Sequence, residues 1–511
     1  MKTTSPVTTL DFAVPATDPS ALANPWDAGA AESVHPAGLP GLEAELASQL
    51  ARLCLPRKAW TVPRPGPDGT AMLDVLVIGA GQYGTGIGAA LRMNGFANFL
   101  ILDKAEEGRE GPWVTYARMP TLRSPKFHPG ICFGVPALTF QSWYRAAHGD
   151  TAWERLYKIP NGVWQDYLVW VRRVLALPVR NRAEAVDLRQ AGDHVEVALA
   201  DGSLLRARRV IVANGRIGSG GPALVPGVDP GLLPDLAAHT SDPIDFQALR
   251  GKRIAVIGTG SSAWDNAATA LEHGAETVEM VARRKAVPQL NKGRPASGIA
   301  WMEGWQALPD ADRWRLTWYM DSMGAPPPHE TILRTTRMPG FSAHFSCGAM
   351  SATREGGKVR LATEHGPSGL YDFLILGTGF RTDLSQEPLF ASIFPAITLW
   401  SDRYQPPADY AHPGLGRAPY IGPGYELIGK DGADLSRIHL FNNATYLSTG
   451  TMASDIPSLD IAPMRLVTGL VQQFFTEDFD GMFAELQDWE EEHEMKTTPF
   501  YAPEFVNQTG R

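Results

Sequence analysis

Apolar positions at Leu42, Leu46, Leu50 and Leu53, with Gln49 among them, fall near helical spacing until Pro56 stops the pattern, which predicts one short amphipathic helix. A proline- and glycine-rich loop from Pro63 to Gly69 follows. The period then changes: Leu73-Asp74-Val75-Leu76-Val77-Ile78 is a near-continuous apolar run, as in a buried strand, and it ends on Gly79. The same grammar returns about 180 residues later, where Arg253 to Ile257 runs into Gly258. Each strand leads into a helix and then a second short strand, Phe99 to Leu102 in the first unit and Thr277 to Val281 in the second. Two such units predict an α/β fold with two Rossmann-like dinucleotide-binding domains. An aromatic-rich helix from Ile159 to Leu175, a strand near Val179 and a helical run from Pro463 to Phe475 are also expected.

The 511 residues include 46 Lys plus Arg against 55 Asp plus Glu, a formal charge of −9, so nothing draws the chain as a whole to nucleic acid or to an anionic membrane. Cys54, Cys132 and Cys347 lie far apart, without metal-ligand or Cys-x-x-Cys spacing, so no metal site or redox dithiol is expected and the setting reads as reducing and cytoplasmic. The stretch Tyr167 to Val179 is broken by Arg172, Arg173 and Pro178, and no bilayer-spanning segment is expected. Residues 1–71 read as a disordered extension plus the short helix, without the apolar core of a signal peptide.

The first unit reads Gly79-Ala80-Gly81-Gln82-Tyr83-Gly84. Gly79 turns the chain tightly, Gly81 lets the backbone approach a pyrophosphate, Gly84 brings helix and strand together, and the helix N-terminus attracts the anion. Asp103, 22 residues after Gly81 at a strand end, can accept hydrogen bonds from a ribose. A tight turn without a ligand is the alternative. The second unit reads Gly258-Thr259-Gly260-Ser261-Ser262, and its second strand ends in Ala282-Arg283-Arg284-Lys285 instead of an acid. Guanidinium groups suit a 2′-phosphate, so Arg283 and Arg284 favour NADPH over NADH, the alternative being a solvated basic turn. Two units imply two cofactors, FAD on the acid-ended first and NADPH on the second, with hydride transfer between them. With no cysteine pair, membrane anchor or cluster ligands to take the electrons, dioxygen is the favoured acceptor.

These residues together resemble the class B flavin-dependent monooxygenases, which include amine N-hydroxylases, flavin-containing monooxygenases and Baeyer–Villiger enzymes, over about residues 72–475. Gly111-Pro112-Trp113 sits where the family commonly has Gly-Gly-x-Trp, which marks Trp113 as a cofactor-side residue. The segments Arg209 to Gly215 and Tyr371 to Phe380 are similar to its two strand-and-turn domain crossings. A degenerate linker motif, Leu233-x-Asp235-x-x-x-His239, weakens the Baeyer–Villiger reading and leaves His239 as either a domain-positioning or a plain surface residue. Met119 to Lys126 resembles the flavin-proximal loop of the N-hydroxylases, making Arg123 and Lys126 candidates for contacts to nicotinamide and flavin, with a solvated loop as the alternative. Asp455 resembles acids that bind the ribityl chain, or is a helix-start turn residue, and Asn442 is a candidate for bonding to peroxyflavin or substrate.

The resemblance implies a discontinuous FAD domain, 72–250 and 371–511, with an NADPH domain and substrate-side insertion at 251–370. It implies oxygen transfer from dioxygen to a small-molecule substrate through a C4a-hydroperoxyflavin. The leading expectation is a small nitrogenous substrate, by amine N-hydroxylation or hydroxylation of a urate-type heterocycle. Baeyer–Villiger or sulfur oxygenation is one alternative, and a non-oxygenating flavin reductase or nucleotide sensor is another. A homo-oligomer is left open.

Overall fold

The computed structural model describes residues 38–453, 455–489 and 493–503; the expected disordered stretch before residue 38 lies outside the described residues. Its first body is a seven-stranded sheet centred on the strand Leu73–Ile78. On one side lie Phe99–Leu102 and then Val179–Arg180, and on the other Leu204–Val212, all parallel, with Val77 level with Ile101 and Ile211. His194–Leu199 and Ala185–Ala191 extend this sheet antiparallel. The strand Ile438–Leu440, far along the chain, pairs parallel with Leu204–Val212 and so returns to the sheet that begins at residue 73. Leu73–Ile78 is buried at five of its six positions, which is why its sequence shows an apolar run without alternation.

The second body is a five-stranded parallel sheet in the order Phe341–His344, Thr277–Val281, Arg253–Ile257, Phe373–Leu376, Ala237–His239. A three-stranded antiparallel sheet, Met350–Glu355, Lys358–Thr363 and Gly369–Tyr371, packs beside it through Val359, Leu361 and Tyr371. Residues 299–323 leave this body and dock on the first: Trp305 donates from Nε1 to the Leu447 carbonyl at 3.2 Å, and Trp314 lies against Trp400 with ring centroids 6.3 Å apart. The aromatic helix runs from Asn161 to Val174, and Trp164, Tyr167, Leu168 and Trp170 are all core.

The C-terminal helix is longer than its sequence pattern suggests, spanning Ala462–Gln487 and ending 12 residues past Phe475. Charge joins apolar packing in anchoring its middle, where Phe474 is buried against Phe96. Asp478 is buried against Arg208, whose guanidinium also stacks on Phe474 at 4.2 Å, and Glu477 pairs with Arg209 and Arg437. Among the described residues no helix is long and apolar enough to cross a membrane.

Burial also decides the charge of His439, in the strand Ile438–Leu440. Its Nδ1–H donates to the Gly424 carbonyl at 2.8 Å, and burial pushes its pKa down to about 4. The folded value lies below the unfolded value of about 6.5, so the unfolded chain takes up the proton first. The resulting stability is fully present above about pH 6.5 and is lost as pH falls towards about 4, by on the order of 3 kcal/mol. His439→Gln should therefore flatten the fall of Tm across this window in scanning calorimetry; an unchanged slope would place the acid sensitivity elsewhere.

Candidate cofactor and active site

Both glycine fingerprints form strand-to-helix turns, and the cause is steric. At Gly79 φ is +105° and an added Cβ would lie 2.5 Å from the Ala213 carbonyl oxygen; at Gly258 φ is +113° and the Cβ would overlap the Gly377 carbonyl. Ala213 and Gly377 follow the strands Leu204–Val212 and Phe373–Leu376, so each turn is pressed against the strand that crosses beside it. A Cβ on Gly84 would collide with the Gly79 carbonyl, so only hydrogen lets the helix Gln82–Met93 sit this close to its strand. Gly81 and Gly260 differ. Each caps its helix in extended backbone, Gly81 meeting nothing nearer than the Gly111 Cα at 3.7 Å and Gly260 nothing within 4 Å. Both border open space in front of a helix N-terminus, where a pyrophosphate is favoured.

Around the first turn, Asp103 accepts from the Ala80 N–H at 2.7 Å and the Ala105 N–H at 2.8 Å, which points the strand-end carboxylate at the fingerprint. Glu110 anchors the neighbouring turn: it is buried, paired with Arg172 at 2.6 Å and bonded by Asn181 at 2.7 Å. Beyond it, the Trp113 indole N–H is buried and unpartnered. Such an orphan donor is what a missing ligand acceptor leaves behind. With Gly81 and Gly111 facing each other at the rim, where a Cβ on Gly81 would lie 3.7 Å from the Gly111 Cα, these residues fit a flavin dinucleotide.

Tyr83, inside the fingerprint, brings the C-terminal loop to the same place, its hydroxyl donating to the Asp455 carbonyl at 2.5 Å. Solvent reaches Asp455, yet protein crowds it, and burial raises its carboxyl pKa against the pull of Arg216. Burial raises the Tyr116 pKa against the pull of Arg216, and burial, with Arg216 adding to it, lowers that of Arg123.

Arg123 faces the second body. Its guanidinium pairs at 3.4 Å with Asp265, a buried carboxylate on the second fingerprint helix Ser261–Glu272, which also accepts from Thr331 at 3.2 Å. Burial raises the Asp265 pKa although Arg123, Thr331 and Arg334 oppose it. Arg123 and Arg334 line a cavity of about 250 Å³ between the bodies, with Met119, Thr121 and Glu330. Ser261 and Ser262 open the second helix, and Arg283 and Arg284 are exposed just past the strand Thr277–Val281.

Two candidates are also engaged by protein groups. The Lys126 ammonium donates to the Trp153 carbonyl at 2.7 Å and lies over the Trp153 ring at 4.6 Å, so it ties its loop to a neighbouring helix. The Asn442 amide donates to Asn214 at 2.8 Å and to Gly218 at 3.1 Å, and its oxygen accepts from Ala444. It is a positioning residue at the Ala213 crossing. Tyr83, Arg216 and Asp265 escaped the sequence reading. Only Asp265 carried a signal there, as an acid among the small and apolar residues of the helix's first two turns. His239 is buried, 5.2 Å from the Phe380 ring, at the crossing between the two bodies. Among the described residues no group of three or more His, Cys, Asp or Glu side chains is arranged to hold a metal ion, and the three cysteines are free.

This architecture, two dinucleotide-type bodies with a cleft between them, is that of the class B flavin-dependent monooxygenases, and the chain belongs to that family. Residues 76–298 match the family described as Pyridine nucleotide-disulphide oxidoreductase. The chain is 38% identical, over 87% of its length and 94% of the relative's, to an FAD-dependent urate hydroxylase of Xanthomonas campestris pv. campestris. Its fold matches an ornithine N-hydroxylase of Kutzneria sp. 744 at a TM-score of 0.62, with 16% identity over 79% of this chain and 99% of that one. An L-lysine 6-monooxygenase from Pseudomonas syringae also matches at 0.62, with 17% identity over 78% and 99%. The protein is a flavin-dependent monooxygenase, of a family that uses FAD with NAD(P)H.

The steric difference between the glycines is measurable. Gly81→Ala should fold normally but weaken FAD retention roughly tenfold, about 1.4 kcal/mol, read from flavin absorbance after dialysis. Gly84→Ala should instead destabilise the apoprotein itself by about 1–3 kcal/mol or more, read from its Tm. Equal behaviour of the two variants would refute the assignment of separate roles.

Proposed function

We propose that the protein is an NADPH-consuming monooxygenase that hydroxylates a urate-type nitrogen heterocycle. The observation that carries the substrate reading is the near full-length likeness to a urate hydroxylase. In this reading the body of the seven-stranded sheet holds FAD and that of the five-stranded sheet holds NADPH; the latter takes Ala237–His239 and Phe373–Leu376 from outside the expected 251–370, because both strands pair in its sheet. Gly79, Gly81 and Gly84 with the first helix N-terminus hold the FAD pyrophosphate, Asp103 the ribose, and Trp113 donates its free indole N–H to the cofactor. Gly258, Gly260, Ser261 and Ser262 take the NADPH pyrophosphate, and Arg283 and Arg284 the 2′-phosphate.

Bound FAD supplies hydride acceptance from NADPH and activation of dioxygen. The chain's own residues then orient and shield. Arg123 and Arg216 offer guanidinium donors that suit the carbonyl oxygens of an electron-rich heterocycle. Asp455, with its carboxyl pKa raised by burial, retains a proton more readily than an ordinary aspartate and can hold it beside the ribityl chain or substrate. Asn442, Tyr83 and Lys126 keep the surrounding loops in place.

The fold neighbours that act on ornithine and lysine favour amine N-hydroxylation as the second reading. FAD-loaded protein should consume NADPH, dioxygen and urate in equal amounts; NADPH oxidation stimulated by ornithine or lysine but not by urate would reverse the order of the two readings. For the cofactor, Arg283→Ala with Arg284→Ala should raise the KM for NADPH at least tenfold while that for NADH changes little. A parallel rise in both would remove these arginines from the 2′-phosphate site.

A further inference from the structure

The helix Asp310–Met323 touches both bodies. Its middle packs on the first: Trp314 is buried against Trp400 and donates from Nε1 to the Tyr410 carbonyl at 2.9 Å, and Arg313 donates to the Ser448 carbonyl at 3.2 Å. Its end reaches back to the second. Gly324 closes the helix at φ +66°, its N–H donating to the Met320 carbonyl at 3.0 Å. A Cβ on Gly324 would lie 3.0 and 3.1 Å from the two terminal nitrogens of Arg284, so the guanidinium occupies the space that a side chain here would need. On the same helix, the Lys292 ammonium lies 6.0 Å from the centre of the Tyr319 ring.

Charge favours this contact as well as shape. A helix C-terminus carries partial negative charge. The last turn of this helix has no basic side chain of its own, and Arg284 comes from the other body to stand there. The backbone that carries Arg284 is fixed from behind: its carbonyl accepts from the Ser346 N–H at 2.9 Å, and that of Ala282 from the Cys347 N–H at 3.0 Å. The helix end therefore steers the side chain, not the backbone. We propose that Gly324 is a positioning residue for cofactor choice: the helix end holds the Arg284 guanidinium where it meets the 2′-phosphate, so preference for NADPH is set across the junction between the bodies. This role rests on the assignment of Arg283 and Arg284 to that phosphate. The chemistry suits arginine, whose planar fork of donors can face the helix end and still present N–H groups to a phosphate. A nucleotide without a 2′-phosphate asks nothing of Arg284 and is indifferent to where it stands.

The test measures binding without turnover, by isothermal titration calorimetry of the full-length, FAD-loaded protein with adenosine 2′,5′-bisphosphate and with adenosine 5′-monophosphate. The wild type should bind the bisphosphate tighter, by on the order of tenfold or more. Gly324→Leu should remove most of that margin and leave the affinity for the monophosphate unchanged. Gly149→Leu is the control. Gly149 closes the helix Phe140–His148 in a similar conformation, φ +88° and ψ 162° against +66° and 161°, but a Cβ there meets nothing within 4 Å, so the margin should survive. Gly324→Ala, which displaces the guanidinium less, should reduce the margin by about threefold and provides a reading if the leucine variant misfolds. A wild type that binds both nucleotides equally would overturn the phosphate assignment and the role of Gly324 with it. A wild type that discriminates, with a margin kept in both Gly324 variants or lost equally in Gly149→Leu, would overturn the role of Gly324 alone.

Discussion

The structure turns on two places where backbone meets backbone with no room for a side chain. At Gly79 the first fingerprint turn presses on the Ala213 carbonyl, and at Gly258 the second presses on that of Gly377. Each contact ties a turn to the strand that crosses beside it, and each leaves open space in front of a helix N-terminus. A larger residue at either position would separate turn from crossing and shift the helix that faces the cofactor. The surrounding side chains reinforce this geometry: Asn442 fastens the Ala213 crossing from below through Asn214 and Gly218, and Glu110 with Arg172 fixes the turn that carries Trp113.

That dependence explains what could be read from sequence. Steric requirements leave glycines at fixed spacing and burial leaves apolar runs, so both fingerprints and the strands Phe99–Leu102, Arg253–Ile257 and Thr277–Val281 were legible residue by residue. Hydrogen-bond partners leave no such trace. Lys126 is engaged by a carbonyl 27 residues away, and Asn442 by groups 228 and 224 residues away. No local pattern could show that these polar side chains were already committed. The end of the C-terminal helix was misjudged for a related reason: past Phe475 its apolar positions face outward, so the usual link between apolar period and inward burial fails there.

The contact between the two bodies is of another kind. The glycine contacts are rigid and inside each body; the one at the active-site loop is ionic, with Arg123 from the first body meeting Asp265 and Arg334 of the second. Burial raises the pKa of Asp265 and lowers that of Arg123, so each is pushed towards its neutral form despite its partner. Desolvation therefore offsets much of the Coulombic attraction, and such a cluster specifies geometry more than it adds stability. Removing Asp265 would leave Arg123 free to turn to solvent, whereas removing Arg123 would leave the buried Asp265 with only Thr331 and Arg334 to offset its charge. The cluster thus sets how the second fingerprint helix stands towards the first body while contributing little net energy to holding them together. In a protein whose chemistry is carried by cofactors, catalysis rests on how well two rigid cradles face each other, and this charged contact is where that alignment is set.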